Sequence, residues 1–168
     1  MECYFDNSAT TKPVAEAVDA MVHALTENFG NPSSLHIKGD KAKNSLDNAR
    51  VTLSKAISAS PNEIYFTSGG TESNNIAIFG TVEALRRRGN RIVTTEIEHP
   101  SVLEPIKRLE EQGFEVIRLR ADANGMVSED HIYAAINKNT ILVSMMLVNN
   151  EVGSIQPVAT VAKAVRRA

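Results

Sequence analysis

The sequence predicts an α/β protein with a mostly parallel sheet and helices on both of its faces. Two observations lead to this class. Segments with helical periodicity alternate with short apolar segments along the chain, which is typical of strand–helix–strand units. The segment 141–148 (ILVSMMLV) is apolar at all but one position, as expected of a central strand that is buried on both sides.

The helices are predicted where apolar residues recur at spacings of three and four: 13–28, 38–58, 71–88, 101–112, 128–136 and from 158 onward. Pro13 lies in the first turn of the first helix, and Gly30, Gly89 and Gly113 follow the ends of the first, third and fourth. The strands are predicted in the apolar segments between them: 64–66, 92–95, 114–119 and 141–148.

Composition limits the classes of function. The 168 residues carry a net charge of -2 and are 42% hydrophobic, which suits one folded domain and gives no electrostatic reason to expect nucleic acid or an anionic membrane as partner. Cys3 is the single cysteine, so an intrachain disulfide and a cysteine-rich zinc site are excluded, and no metal is predicted. The N-terminus lacks a signal-peptide pattern and no apolar run is long enough to span a membrane, which predicts a cytoplasmic protein.

The stretch TSGGTES at 67–73 lies between a predicted strand and a predicted helix. The first turn of a helix offers unpaired N–H groups and the positive end of the helix dipole, which together bind phosphate. Gly69 and Gly70 allow close backbone approach, and Ser68 or Thr71 can add a hydroxyl donor. A tight turn followed by a threonine cap explains the same residues, and the spacing matches neither common phosphate-loop motif. Both interpretations stay open on these residues alone.

Two further polar clusters follow predicted strands. His99 ends the run Glu96–His99, and the run Asn149–Glu151 abruptly ends the apolar segment 141–148. Taken alone, His99 is more often an ordinary loop histidine than a functional one. Because carboxyl ends of parallel strands meet at one edge of a sheet, three polar clusters at such ends predict a shared pocket.

Five stretches carry a resemblance to a known family. They occur in the family's order along the whole chain and read YFDNSATT, FGNPSSLH, FTSGGTESNN, EIEHPSV and VNNEVGSIQP. The chain resembles the N-terminal portion of the cysteine desulfurases, which are pyridoxal phosphate (PLP) enzymes of the class V aminotransferase type with transferase fold type I. The resemblance implies that 1–12 belongs to a small domain and 13–168 to the first part of the PLP-binding large domain.

The resemblance also implies roles for particular residues. Gly70 and Thr71 would bind the PLP phosphate. His99 would stack on the pyridine ring and assist proton transfer as a catalytic residue, and Asn150 would hydrogen-bond the 3'-oxygen of the ring. Asn31 and His36, in the loop FGNPSSLH, would lie near the pocket or a dimer interface.

The family needs residues that do not match any position here: an acid at the pyridine nitrogen, a lysine that forms a Schiff base with PLP, and a cysteine that takes the sulfur. The chain therefore resembles about the first two-fifths of a desulfurase and is expected to be inactive alone. The implied reaction converts L-cysteine to alanine and an enzyme persulfide for iron–sulfur cluster or thio-cofactor synthesis. The implied partners are a second copy or a companion chain, and a sulfur acceptor or iron–sulfur scaffold protein. The alternatives are a non-catalytic half-domain, a selenocysteine lyase and an aminotransferase.

Overall fold

A computed structural model describes residues 2–168 and confirms the α/β class. The α-helices are Ala15–Thr26 (α1), Ile37–Ala56 (α2), Gly70–Leu85 (α3), Pro100–Glu111 (α4), Glu129–Ala135 (α5) and Val158–Arg167 (α6). The strands are Arg91–Thr95 (β1), Glu115–Leu119 (β2) and Thr140–Val143 (β3). Every α-helix lies where the periodicity predicts one, with ends that differ from the prediction by three residues or fewer.

The chain divides into two compact units, one ending at Phe66 and the other spanning Thr67–Ala168. The first unit contains α1 and α2. No residue of α1 is buried, and α2 buries only Gly39, Ala42 and Ser54. A side chain at Gly39 would collide with the backbone oxygen of Ser34, so a glycine lets the loop before α2 close against the helix. The domain boundary predicted after residue 12 is a different division and stays a prediction.

The second unit is built on a parallel sheet with the strand order β2-β1-β3. Successive residues of its central strand point to opposite faces. Ile92 lies in one hydrophobic core and Val93 in the other, and both are fully buried. The sheet therefore has an apolar core on each face.

Helices α3 and α4 cover one face, and α5 and α6 cover the other. The first core joins Ile92 and Ile141 of the sheet to residues of α3 and α4: Ile78, Val82, Val102, Ile106 and Leu109. The second joins Val93 and Leu119 to residues in and around α5 and α6: Val127, Ile132, Ala135, Ile136 and Ala164. This arrangement confirms the prediction of a parallel sheet with helices on both faces.

The predicted strand at 64–66 is wrong. Ile64 has extended backbone angles (φ -96°, ψ 119°), but its N–H donates to the carbonyl of Pro61 at 3.2 Å. Among residues 2–168 this segment pairs with no strand, and Tyr65 is 82% exposed. An extended segment becomes a strand only when a neighbouring strand accepts its hydrogen bonds, which the local sequence does not reveal.

The predicted strand at 141–148 is half as long as expected, because β3 ends at Val143. Beyond Ser144, whose N–H still donates to Val93, the backbone bonds leave the sheet. The N–H of Met146 donates to the Glu98 side chain at 2.7 Å, and the carbonyl of Leu147 accepts from Gln156 at 2.8 Å. The apolar run continues, but its backbone groups are satisfied by loops instead of by a strand.

Candidate active site

The N-terminus of α3 has the form that the phosphate interpretation requires. Gly69 precedes the helix in extended backbone (φ 163°, ψ -179°), and the helix begins at Gly70. The first N–H groups of a helix have no carbonyl partner within it. A Cβ built on Gly69 or Gly70 would meet no other atom within 4 Å, so the space beside both glycines is open. An anion can therefore approach these N–H groups closely.

The loop before α3 is held by its own side chains. The N–H and Oγ of Ser68 donate to Glu72 Oε2 at 2.6 and 2.7 Å, and these bonds lower the pKa of the Glu72 carboxyl. The hydroxyls of Thr67 and Ser73 lie 2.7 Å apart. The Thr71 hydroxyl takes no part in this network, which leaves it available to a ligand.

His99 caps the N-terminus of α4. Its Nδ1 accepts the backbone N–H of Ser101 at 3.0 Å and lies 2.7 Å from Ser101 Oγ. Pro100 occupies the first helical position, where its missing N–H costs nothing. Asn74 of α3 donates to Ser101 Oγ at 2.8 Å. Since α3 and α4 also share the first hydrophobic core, this bond links two helices that are already packed together.

Thr71 and His99 line one cleft of about 450 Å³. The other lining residues are Asn75, Pro100, Ser101, Glu104, Pro105 and Arg108. Asn75 Nδ2 donates to the carbonyl of Thr71 at 2.8 Å, a bond within α3 that holds the Asn75 side chain in place. The structure thus brings together two of the residues singled out in the sequence, although the stretch before Thr71 is not a strand of the sheet.

Asn150 does not line this cleft. It lies in the loop after β3, is exposed, and donates from Nδ2 to its neighbour Glu151 at 2.7 Å. The preceding Asn149 is buried and holds the loop in place. Its Nδ2 donates to the carbonyl of Ile97 at 3.1 Å, and its Oδ1 accepts the N–H groups of Glu151 and Val152.

The carboxylate of Glu98 is buried, and the sequence predicted no individual role for this residue. Its side chain is only 7% exposed, and Oε1 accepts from Thr95 Oγ1 at 2.9 Å and from the N–H of Met146 at 2.7 Å. Glu98 therefore connects the segment that carries His99 to the segment after β3. A glutamate in a polar run normally indicates an exposed loop, so the sequence offered no signal for it.

Asn74, Asn75 and Ser101 were also missed as individual residues. Asn74 and Asn75 follow Thr71 by three and four positions, which places them near it on the same side of α3. That spacing could have indicated them once α3 was predicted. Ser101 could not have been identified in this way, because its bond to Asn74 joins residues 27 positions apart.

No residue lining the cleft of Thr71 and His99 is a lysine, and Lys163 is exposed on α6. Within residues 2–168 no three His, Cys, Asp or Glu side chains are grouped so as to hold a metal ion. Over the same range, none of the helices combines the length and the apolar character that crossing a bilayer demands. Cys3 is a free, exposed thiol.

The fold is that of the PLP-dependent transferases. The aminotransferase class-V family model matches residues 3–168, so the chain belongs to that family. The match covers almost the whole chain and confirms the recognised family and its fold.

Among characterised relatives, the chain is similar to a cysteine desulfurase IscS of Methanosarcina thermophila, with 50% identity over 95% of this chain and 40% of the relative. It is 46% identical to a cysteine desulfurase IscS of Dictyoglomus turgidum, over 96% of this chain and 41% of the relative. The chain therefore spans about two-fifths of the length of these relatives, as the sequence predicted.

Solved structures give the same result. A structure described as a NifS-like protein superposes with a TM-score of 0.95 at 40% identity, over 99% of this chain and 46% of that one. A structure described as SspA in complex with cysteine superposes with a TM-score of 0.91 at 35% identity, over 98% and 47% of the two chains. Enzymes of this family use PLP. The phosphate group of PLP is therefore the anion with which binding at the N-terminus of α3 can be tested.

Proposed function

We propose that this chain forms the phosphate- and ring-binding part of a PLP-dependent cysteine desulfurase. One observation carries the proposal: Thr71, at the first turn of α3, and His99, at the cap of α4, line the same cleft. The helix N-terminus beside Thr71 can bind a phosphate group. The ring of His99 can stack on a flat aromatic ring. The names of the relatives and the five sequence stretches support the same activity.

The residues present fit the cofactor. The N–H groups at the start of α3 and the Thr71 hydroxyl would hold the phosphate, since the space beside Gly69 and Gly70 is open. His99 would stack on the ring. Asn150 does not line the cleft and donates to Glu151, so its bond to the ring's 3'-oxygen stays a prediction from the resemblance. When bound, PLP supplies an electron sink that stabilises negative charge at the substrate's α-carbon.

The cleft itself offers no lysine, and a lysine is required to hold PLP covalently. We therefore propose that residues 2–168 alone bind PLP weakly and do not convert L-cysteine to alanine and persulfide. Activity would need a polypeptide that supplies the lysine, the acid at the pyridine nitrogen and the sulfur-accepting cysteine. The resemblance further suggests an assembly that is at least dimeric, a cytoplasmic location, and a sulfur acceptor or iron–sulfur scaffold protein as partner.

The binding half of the proposal is tested by titrating the chain with PLP and, in parallel, with pyridoxal, which lacks the phosphate. We expect PLP to bind more tightly than pyridoxal, and Thr71→Ala to remove most of that difference. Equal binding of the two compounds, or no effect of Thr71→Ala, would show that α3 does not hold the phosphate.

The catalytic half is tested by borohydride reduction followed by intact-mass measurement and by an assay for alanine. We expect the chain to stay at its own mass of 18.3 kDa and to release no alanine from L-cysteine. A specific PLP adduct on one of its eight lysines, or alanine release by the chain alone, would contradict this. Assays with L-selenocysteine and with an amino-group acceptor distinguish a lyase or an aminotransferase.

A further inference from the structure

A short series of hydrogen bonds runs from α3 to the ring of His99. Asn74 Nδ2 donates to Ser101 Oγ at 2.8 Å, and Ser101 Oγ lies 2.7 Å from His99 Nδ1. The backbone N–H of Ser101 reaches the same Nδ1 at 3.0 Å. Two groups of one residue therefore converge on one ring nitrogen.

These bonds decide which nitrogen of His99 carries the proton. A backbone N–H can only donate, so Nδ1 presents its lone pair to Ser101 and carries no proton while this bond is formed. Asn74 supplies a hydrogen to Ser101 Oγ, which leaves the serine hydroxyl free to donate to Nδ1 as well. The backbone bond alone requires a bare Nδ1, and the hydroxyl bond adds to it. The proton of the neutral ring is then on Nε2.

We propose that Asn74 and Ser101 are positioning residues that hold His99 as the tautomer protonated at Nε2, so that the ring offers the cleft a hydrogen-bond donor and not a base. This inference rests on the proposed function for its meaning, because the donor matters only if the cleft holds a cofactor or substrate. The tautomer itself is inferred from the three hydrogen bonds alone.

The consequence concerns the chemistry available to His99. Nε2 has no hydrogen-bond partner within residues 2–168, and the residue lines the cleft. The neutral ring can therefore donate from Nε2 to an oxygen or nitrogen acceptor of a bound molecule. Donation from Nε2 leaves the cap of α4 intact. A proton added at Nδ1 would break the bond to the Ser101 N–H. Helix α4 would lose its cap at that step.

The tautomer can be measured on the chain without any cofactor. The histidine rings are labelled with ¹⁵N, and long-range ¹H–¹⁵N spectra are recorded at a pH where the rings are neutral. His99 is identified among the four histidines by its loss in His99→Gln. We expect Nδ1 to resonate as a bare, pyridine-like nitrogen and Nε2 as the protonated one. The reverse pattern would overturn the proposal before either positioning residue is changed.

Variants then test the two positioning residues. Ser101→Ala removes the hydroxyl but keeps the backbone N–H, so we expect the His99 Nδ1 resonance to shift toward that of a less hydrogen-bonded nitrogen. Asn74→Ala should cause a smaller shift in the same direction, and Ser101→Thr should restore the original position. Ser128, at the N-cap of α5, makes no side-chain cap bond, and Ser128→Ala serves as the matched control that leaves Nδ1 unchanged.

An unshifted Nδ1 resonance in Ser101→Ala would overturn the role of the hydroxyl, and an equal shift in Ser128→Ala would make the effect non-specific. Neither result depends on PLP or on turnover. If the tautomer is as proposed but PLP does not bind, the proposed function fails and the inference about His99 stands. If PLP binds and Nδ1 carries the proton, the inference fails and the function stands.

Discussion

Helices α1 and α4 carry similar apolar patterns but differ entirely in burial. In α1 the apolar residues Val18, Met21 and Leu25 are exposed, Leu25 by 73%. In α4 the residues Ile106 and Leu109 are buried, Ile106 completely. The difference lies in their surroundings, because α4 packs on the sheet and on α3, whereas no residue of α1 is buried. An apolar stripe predicts a helix and a buried face, but it does not say which surface buries that face.

The histidines that cap α2 and α4 also share a local pattern but differ in their surroundings. His36 accepts the N–H of Gly39 at 3.2 Å at the start of α2, and His99 accepts the N–H of Ser101 at 3.0 Å at the start of α4. Only His99 is joined to a second helix, through Ser101 and Asn74. A histidine cap depends on residues close in the sequence, so either unit can form one. Fixing the orientation of the capping ring at a cleft also requires a side chain from a second helix packed beside it.

The largest expected effect tests the contrast in burial directly. Ile106→Ala leaves a cavity between α4 and the sheet, and we expect the free energy of unfolding to fall by about 2–5 kcal/mol. Leu25→Ala is the control in α1 and should change it by less than about 0.5 kcal/mol. Urea unfolding followed by circular dichroism measures both. A comparable loss in the two variants would mean that α1 is buried in solution.

The next effect concerns the buried carboxylate of the second unit. Glu98→Ala leaves Thr95 Oγ1 and the Met146 N–H without their acceptor, so we expect a loss of about 1–3 kcal/mol in unfolding free energy. Glu96 is the matched control, since it lies in the same segment and makes only an exposed contact with Arg120 at 3.4 Å. An equal effect at the two positions would show that Glu98 does not fasten the segment after β3.

Substitutions of two adjacent threonines of β1 are expected to change the free energy of unfolding by smaller amounts and in opposite directions. Both are fully buried, but Thr95 Oγ1 donates to Glu98 whereas Thr94 Oγ1 has no hydrogen-bond partner among the described residues. Thr94→Val replaces an unsatisfied hydroxyl and should raise the free energy of unfolding by about 1 kcal/mol. Thr95→Val should lower it by about the same amount. Stabilisation by both changes, or by neither, would contradict the hydrogen-bond assignment.

The smallest effect is a pH dependence at the N-terminus of α3. The bonds from Ser68 lower the pKa of Glu72 from its ordinary value of 4.5. A carboxyl whose pKa is lower in the folded state stabilises it fully above the unfolded value and loses that contribution as the pH falls through the folded value. We expect the amide resonance of Ser68 to titrate with a midpoint below 4.5 and to stay flat in Glu72→Gln. A midpoint above 4.5 would exclude these bonds.

Part of the candidate site could be predicted from local patterns. The start of α3 follows from the polar run after Phe66 and the periodicity beyond Gly70, and Thr71 was singled out on that basis. His99 was found because it ends the polar run that follows the predicted strand 92–95. Both predictions rest on rules that act over a few residues.

The remaining features depend on distant pairs. Glu98 is buried because Met146, 48 positions later, brings a backbone N–H to it. The strand predicted at 141–148 ends at Val143 for the same reason, since its second half bonds to loops. Asn150 was placed with Thr71 and His99 by resemblance, and in this structure its amide is bonded to Glu151 instead.

The sequence by itself determined the helices, two of the strands, the α/β class and the family, because periodicity, end signals and quoted motifs are properties of neighbouring residues. The tertiary structure decided which apolar stripes are buried, where β3 ends, and how His99 is oriented through Ser101 and Asn74. Those features are set by hydrogen bonds and packing between residues tens of positions apart, and such contacts leave no local pattern in the chain.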